Sequence, residues 1–174
     1  NELEEIDMTW KIVTDSGCDL RHIEGLAEHT EFQNVPLTIQ IGSEIFVDDE
    51  GLDVANMMTT MYASPVSSKS SCPSPDAFLQ AYQGAENVIA ITSTGNLSGS
   101  HNSAQVAKHM FLEEHPNVNV HVIDSLSAGG EIDLIVEELN RLIAKGLSFD
   151  EVVEAITAYQ EKTKLLFVLA RVDN

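Results

Sequence analysis

The feature that most constrains this chain is Asn87-Val-Ile-Ala-Ile-Thr92, in which apolar residues follow one another without the polar alternation of a half-solvated strand. A strand of this kind must be covered on both faces. It therefore predicts a parallel sheet sandwiched between helices. Trp10-Lys-Ile-Val-Thr14 and Val118 to Ile123 read as further strands of the same kind, and Leu165 to Ala170 as a last one.

Between these runs the pattern changes to helical spacing. Ile132, Ile135, Val136, Leu139, Leu142 and Ile143 recur on one face between Glu131 and Lys145, and Gly146 stops the run. Ser148-Phe-Asp-Glu151 forms a capping box, with Leu147 and Val152 placed as a hydrophobic staple. Ser74-Pro75-Asp76 supplies a cap, a first-turn proline and a first-turn acid for a helix to about Gln83. Ala104, Ala107 and Phe111 mark the core face of a helix after Ser98. Helices are also expected from about Asp19 to His29 and over residues 53 to 62. Val35-Pro-Leu-Thr-Ile-Gln-Ile41 and Glu44-Ile-Phe-Val47, separated by Gly42-Ser43, read as a hairpin at a sheet edge, because Pro36 cannot donate to a central ladder. Ser64-Pro65 through Ser74 reads as a loop. The fold class is thus α/β, a mostly parallel sheet with helices on both faces, in a single domain of 174 residues.

Charge narrows the function. Nine basic residues against 28 acidic ones give a net charge of −19, which repels phosphate backbones and anionic membranes, so neither nucleic acid nor a membrane surface is an expected partner. No apolar run approaches the roughly 18 residues of a membrane span. Cys18 and Cys72 stand far apart without a CxxC spacing, which suits free thiols in the cytoplasm. The opening Asn1-Glu-Leu-Glu-Glu-Ile-Asp7 lacks the basic and apolar regions of a signal peptide.

Hydroxyls and small residues collect where strands give way to helices: Asp15-Ser16, Ser70-Ser71-Cys72-Pro73-Ser74, Ser93 through Ser100, and Asp124-Ser125. Ordinary loop and cap chemistry accounts for any one of these serines. In a parallel sheet, however, the strand-end clusters share one rim, where hydroxyls and free amides can hold a carboxylate or phosphate without a cationic side chain.

Lys11-Ile-Val-Thr-Asp-Ser16, Val35-Pro-Leu37, Lys69-Ser-Ser-Cys-Pro-Ser74, Leu97-Ser-Gly-Ser100 with Asn102-Ser-Ala104, and Val122-Ile-Asp-Ser125 resemble, in order and spacing, the DegV family. The resemblance implies a two-lobed α/β carrier, not itself an enzyme, that encloses a long-chain fatty acid and presents its carboxylate to a separate fatty-acid kinase. It implies no cofactor besides the lipid. Carried over by motif, Ser71 and Ser93 bind the carboxylate with Ser70 and Thr94 nearby. Ser98, Gly99 and Ser100 shape a helix start, and Asp15, Ser16, Asp124 and Ser125 line or support the rim. Ser70 replaces a threonine usual in the family, and His101 a tyrosine. Thr94-Gly-Asn96 adds length that leaves Ser93 and Thr94 as alternative ligands. Ala170-Arg-Val-Asp-Asn174 stops short of the turn that leads to the family's second lobe, so that lobe is expected beyond this chain.

The main rival is a serine hydrolase with Ser98 as nucleophile, but Gly95-Asn-Leu-Ser-Gly99 is not the G-x-S-x-G elbow. Neither G-x-x-x-x-G-K-[ST] nor G-x-G-x-x-G occurs. The six histidines lack metal-ligand spacing, and Asp48-Asp49-Glu50 and Glu113-Glu114 read as solvated faces. Met57, Met58 and Met61 are candidates to line an acyl tunnel, although core packing also explains them.

Overall fold

The computed structural model describes residues 8–166. Among the described residues four strands form the parallel sheet: β1 (Trp10–Asp15), β2 (Thr30–Val35), β6 (Asn87–Thr92) and β7 (Asn119–Asp124), in the spatial order β2-β1-β6-β7. β1 and β6 are buried at every position, as the unbroken apolar run requires.

Alternation along these strands divides the interior into two cores. Trp10, Ile12, Ile89, Ile91 and Ile123 face one side, where they meet α4 (Gly130–Ile143) and α5 (Phe149–Gln160). Val13, Val88, Ala90, Val120 and Val122 face the other, against α2 (Pro75–Ala81) and α3 (Ser100–Glu114). All six periodic residues of α4 are buried, and each such side chain contributes about 1.5–3 kcal/mol of transfer free energy. The small Ala104 and Ala107 let α3 approach the sheet closely. Ser74 caps α2, and the capping box of α5 is fully formed. Leu147 and Val152 pack into the same core.

A second, antiparallel sheet holds β3 (Thr38–Ile41), β4 (Glu44–Val47) and β5 (Lys69–Ser71), in the order β4-β3-β5. Gly42, at φ +61°, makes the two-residue turn of the β3–β4 hairpin. α1 (Val54–Ala63) is capped by Asp53, whose side chain accepts from the Asn56 amide.

Four sequence expectations need correction. The hairpin does not edge the main sheet but pairs with β5 in the smaller one. The stretch Val35 to Ile41 is two strands, because Pro36 has no N–H to continue a ladder: β2 ends at Val35 and β3 begins at Thr38. Part of the serine-rich loop is β5, a strand too short and exposed to carry a hydrophobic pattern. Residues 19 to 29 are turns rather than a helix. Their backbone groups find partners on α4 instead of in an i→i−4 ladder: the Asp19 amide donates to Asp133, the Ala27 amide donates to Asn140, and Asn140 donates to the Gly25 carbonyl. The strand expected at Leu165 to Ala170 lies largely outside the described residues.

Candidate functional site

The chain leaves β1 toward β2 on one side and leaves β6 toward β7 on the other. The carboxyl ends of β1 and β6 therefore flank the point where strand order reverses, the place where open parallel sheets form a ligand crevice. Asp15 ends β1 there, and Ser93 follows β6. Asp15 is fully buried and Ser93 is 7% exposed. The Ser93 amide and hydroxyl both donate to the Asp15 carboxylate at 2.8 Å, and the Gly17 amide donates to it at 3.0 Å. The hydroxyl hydrogen of Ser93 is thus committed, and its oxygen lone pairs remain.

Ser16 does different work. Its amide donates to the Val35 carbonyl and its hydroxyl accepts from the Leu37 amide, so it ties the end of β1 to the passage from β2 to β3. That tie helps place the second sheet. Thr38, next to Leu37, is the register partner of Ser71, and Ile39 that of Ser70. On the other side of Ser71, Cys72 lies so close to Gly99 that a Cβ on Gly99 would fall 2.8 Å from the Cys72 sulfur. Ser70 and Ser71 are exposed, between the end of β1 and the start of α3. Among the described residues no hydrogen bond joins either of them to Ser93.

The two remaining loops interlock. The Thr94 amide donates to the Ser127 carbonyl, the Ser125 amide to the Thr92 carbonyl, and the Gly95 amide to both oxygens of Asp124 at 3.2 Å. Asp124 also accepts from the Leu126 amide. The Thr94 hydroxyl accepts from the Asn96 amide. Ser98 and Ser100 bond through their hydroxyls at 3.0 Å, and Ser98 also accepts from the Ser100 amide. Asp124, Ser125, Ser98 and Ser100 therefore brace loops. Gly99, expected to shape the helix start, occupies the N-cap of α3 without a side-chain cap bond. Large apolar side chains stand on these loops in the open, Leu97 at 78% and Leu126 at 65% exposure.

Three participants escaped the sequence reading. Gly17 matters through close approach to Ser93, Ser127 through its carbonyl, and Gly129 through an amide that donates to the Gly17 carbonyl at 2.7 Å. The run Ser125-Leu-Ser-Ala-Gly-Gly130 after a strand was the available signal for the last two. Beside this cluster the Cys18 thiol donates to Asp133 at 3.2 Å. Burial, followed by that bond to a carboxylate, pushes its pKa up to about 12, so the thiol stays protonated.

Ser98 has Ser100 as its hydroxyl partner, and His101 directs its ring to Thr92 at 3.4 Å. That is not the nucleophile–base pairing a serine hydrolase needs. Among the described residues no group of three or more His, Cys, Asp or Glu side chains could hold a metal ion, and no helix is long and apolar enough to cross a membrane. Ser93 lines none of the surface depressions along residues 19–24 and α4, at Trp10 and the end of α4, or at Ser125, Leu126 and the residues after α5. Met57 is buried but belongs to neither sheet core, and Tyr62 is exposed.

A family model described as "Uncharacterised protein, DegV family" matches residues 9–174. The chain belongs to the DegV family. A DegV domain-containing protein of Streptococcus pyogenes serotype M1 is 69% identical over 167 residues, covering 96% of this chain and 60% of the relative. One from Streptococcus gordonii is 66% identical, with 96% and 59% covered. The chain thus spans about three fifths of the length of these curated relatives. Among solved structures, the Streptococcus pneumoniae Fatty Acid Kinase (Fak) B3 protein loaded with linoleic acid superposes with a TM-score of 0.88 at 63% identity, over 89% of this chain and 55% of that one. A DegV family protein from Eubacterium eligens loaded with heptadecanoic acid gives 0.83 at 38% identity, over 88% and 54%. These DegV neighbours bind fatty acids, and they share the α/β architecture described above.

Proposed function

We propose that this DegV chain supplies the headgroup-binding lobe of a cytoplasmic fatty-acid carrier, which holds a long-chain fatty acid by its carboxyl group and presents it to a separate fatty-acid kinase. The observation that carries this reading is Ser93, a nearly buried hydroxyl aligned by Asp15 at the point of strand-order reversal. Such a group suits a small polar headgroup rather than a nucleotide, for which no glycine-rich phosphate cradle is present in the sequence. Ser71 and Ser70, on β5 of the second sheet, are proposed to contact the same headgroup, and Thr94 is the alternative to Ser93 on the β6 loop. The exposed Leu97 and Leu126 supply apolar surface beside the hydroxyls, as a ligand with one polar end requires. The chain's similarity to proteins loaded with linoleic and heptadecanoic acids supports the ligand class, and the name of the Streptococcus pneumoniae protein supports the kinase partnership. A second lobe, beyond this chain, is proposed to cover the acyl tail.

Native mass spectrometry of the gently purified protein in its natural length tests the reading. A co-purifying long-chain fatty acid is the expected result, together with acyl-phosphate formation when a fatty-acid kinase and ATP are added. No bound lipid, with ester hydrolysis that Ser98→Ala abolishes, would replace the carrier by a hydrolase.

A further inference from the structure

Asp15 is a fully buried acid whose partners are hydrogen-bond donors and not a cation. The ion pairs Lys11–Glu31, Arg21–Asp48 and Glu138–Arg141 do not reach it. The basic side chains on the elements around Asp15 are engaged elsewhere: Lys11 of β1 with the Gln83 carbonyl and Glu31, Arg21 of the loop after β1 with the Cys18 carbonyl and Asp48, and Arg141 of α4 with Glu138. The loop after β1 carries the protonated thiol of Cys18, and Asp19, whose carboxylate lies near Gly129. α4 contributes Asp133, which faces Cys18, and β7 ends in Asp124, which is held by the Gly95 and Leu126 amides. α3 contributes His101, whose ring meets Thr92. β6 has no titratable residue.

Ser93 gives its hydrogen to this acid, so toward a ligand it offers only lone pairs. A carboxylate docked on that oxygen would oppose lone pair to lone pair, and would place two negative charges across one bridging oxygen in a site shielded from water. The ligand's carboxyl group, as the newcomer, is therefore favoured in its neutral form. We propose that the fatty-acid headgroup is held on Ser93 as the protonated acid, because the Asp15 carboxylate behind Ser93 takes the hydroxyl hydrogen and disfavours a second negative charge, so that binding at neutral pH takes up a proton from solvent. The headgroup O–H donates to the Ser93 oxygen, and the Ser93 O–H donates to Asp15. Asp15 is then a positioning residue that sets the direction of the Ser93 hydroxyl. This rests on the proposed role of Ser93 as headgroup ligand.

The test is calorimetric titration of the natural-length protein, stripped of lipid, with monomeric oleic acid in two buffers of different ionisation enthalpy at about pH 7, which counts the protons exchanged. The expected count is about one proton taken up per lipid, with Kd weakening about tenfold per pH unit above the ligand's own pKa. Asp15→Asn, which keeps the size of the side chain but removes its negative charge, should bind with uptake close to zero. Binding to the unmodified protein without proton uptake overturns the proposal, and so does equal uptake in Asp15→Asn. Should that variant fail to fold, the unmodified protein still decides by its proton count and by its neutral ligands: oleyl alcohol, a donor, should bind with pH-independent affinity, and methyl oleate, which has no donor, should not. Tighter binding of the ester than of the alcohol counts against the proposal. Failure of every one of these lipids to bind would instead overturn the carrier reading itself.

Discussion

Gly17 stands so close to Ser93 that a Cβ added to it would lie 2.0 Å from the Ser93 hydroxyl oxygen and 2.9 Å from an oxygen of Asp15. Neither neighbour can retreat easily, because Ser93 is bonded to Asp15 through both its amide and its hydroxyl. Gly17→Ala should therefore destabilise the fold by about 1–3 kcal/mol, the usual cost of forcing a methyl group into a packed site. It should also weaken fatty-acid binding more than a substitution of equal stability cost elsewhere. Urea denaturation and lipid titration of the same variant check this, and an unchanged midpoint would show that the Asp15–Ser93 contact yields freely.

That contact also marks the limit of what sequence pattern records. The parallel sheet was legible because β1 and β6 are buried on both faces and so carry no polar alternation. α4 was legible because all its periodic residues reach one core. β2 was not: Thr30 to Val35 is an edge strand in which Glu31 and Gln33 face solvent, and its apolar signal is carried by Phe32 and Val35 alone. Residues 19 to 29 have helix-compatible composition, but side chains of α4 claim their backbone groups, and no local pattern reports such distant partners. At the rim, Asp15 and Ser93 were both singled out, yet the bond between them spans 78 positions. Gly17 was invisible for a related reason, since the need for a missing Cβ arises only from what folding brings against it.

Ser93 and Ser71 should respond differently to removal of the hydroxyl. For Ser93→Ala the expected loss of fatty-acid affinity is about 0.5–1.5 kcal/mol, the range for a hydrogen bond between uncharged groups. The fold should also soften, because a buried donor to Asp15 disappears with it. Ser71 is exposed on β5, and among the described residues its side chain makes no hydrogen bond that holds an element of the fold. Ser71→Ala should lose about 0.5–1.5 kcal/mol of affinity with an unchanged thermal midpoint. Calorimetric titration beside thermal denaturation separates the two effects. Unchanged affinity in both variants would remove both residues from the site.

Cys18 and Cys72 should differ in reactivity and in their effect on stability. Cys18 is buried, and its pKa is raised from 9.0 to about 12 by burial and by its bond to Asp133. Cys72 is exposed. Iodoacetamide at neutral pH should label Cys72 in the native protein and Cys18 only after unfolding, as peptide mass mapping would report. The sign of the linkage follows from the raised value. Below about pH 7.5 the thiol is protonated in both states and contributes no slope. Between there and about pH 12 the unfolded chain ionises first, so stability falls as pH rises. Cys18→Ala should flatten that alkaline decline, and an identical pH profile in the variant would contradict the assignment.

Gly99 and Cys72 provide a test of whether the second sheet is registered on the main one through the start of α3. A Cβ on Gly99 would lie 2.8 Å from the Cys72 sulfur, whereas the next atom, the Cys72 Cβ, would be 3.9 Å away in ordinary contact. Gly99 has right-handed helical dihedrals that alanine adopts without strain. Gly99→Ala should thus cost about 1 kcal/mol or less in net stability, since the entropy gained by replacing glycine offsets part of the clash. Its larger effect should fall on lipid affinity, because a displaced Cys72 carries the adjacent Ser71 with it. Cys72→Ala removes the atom in the way, so the double variant should regain both the stability and the affinity lost by Gly99→Ala alone. A double-mutant cycle read by denaturation and by lipid titration measures that coupling. Additive effects would mean that the Ser70–Ser71 strand is held in place by β3 alone.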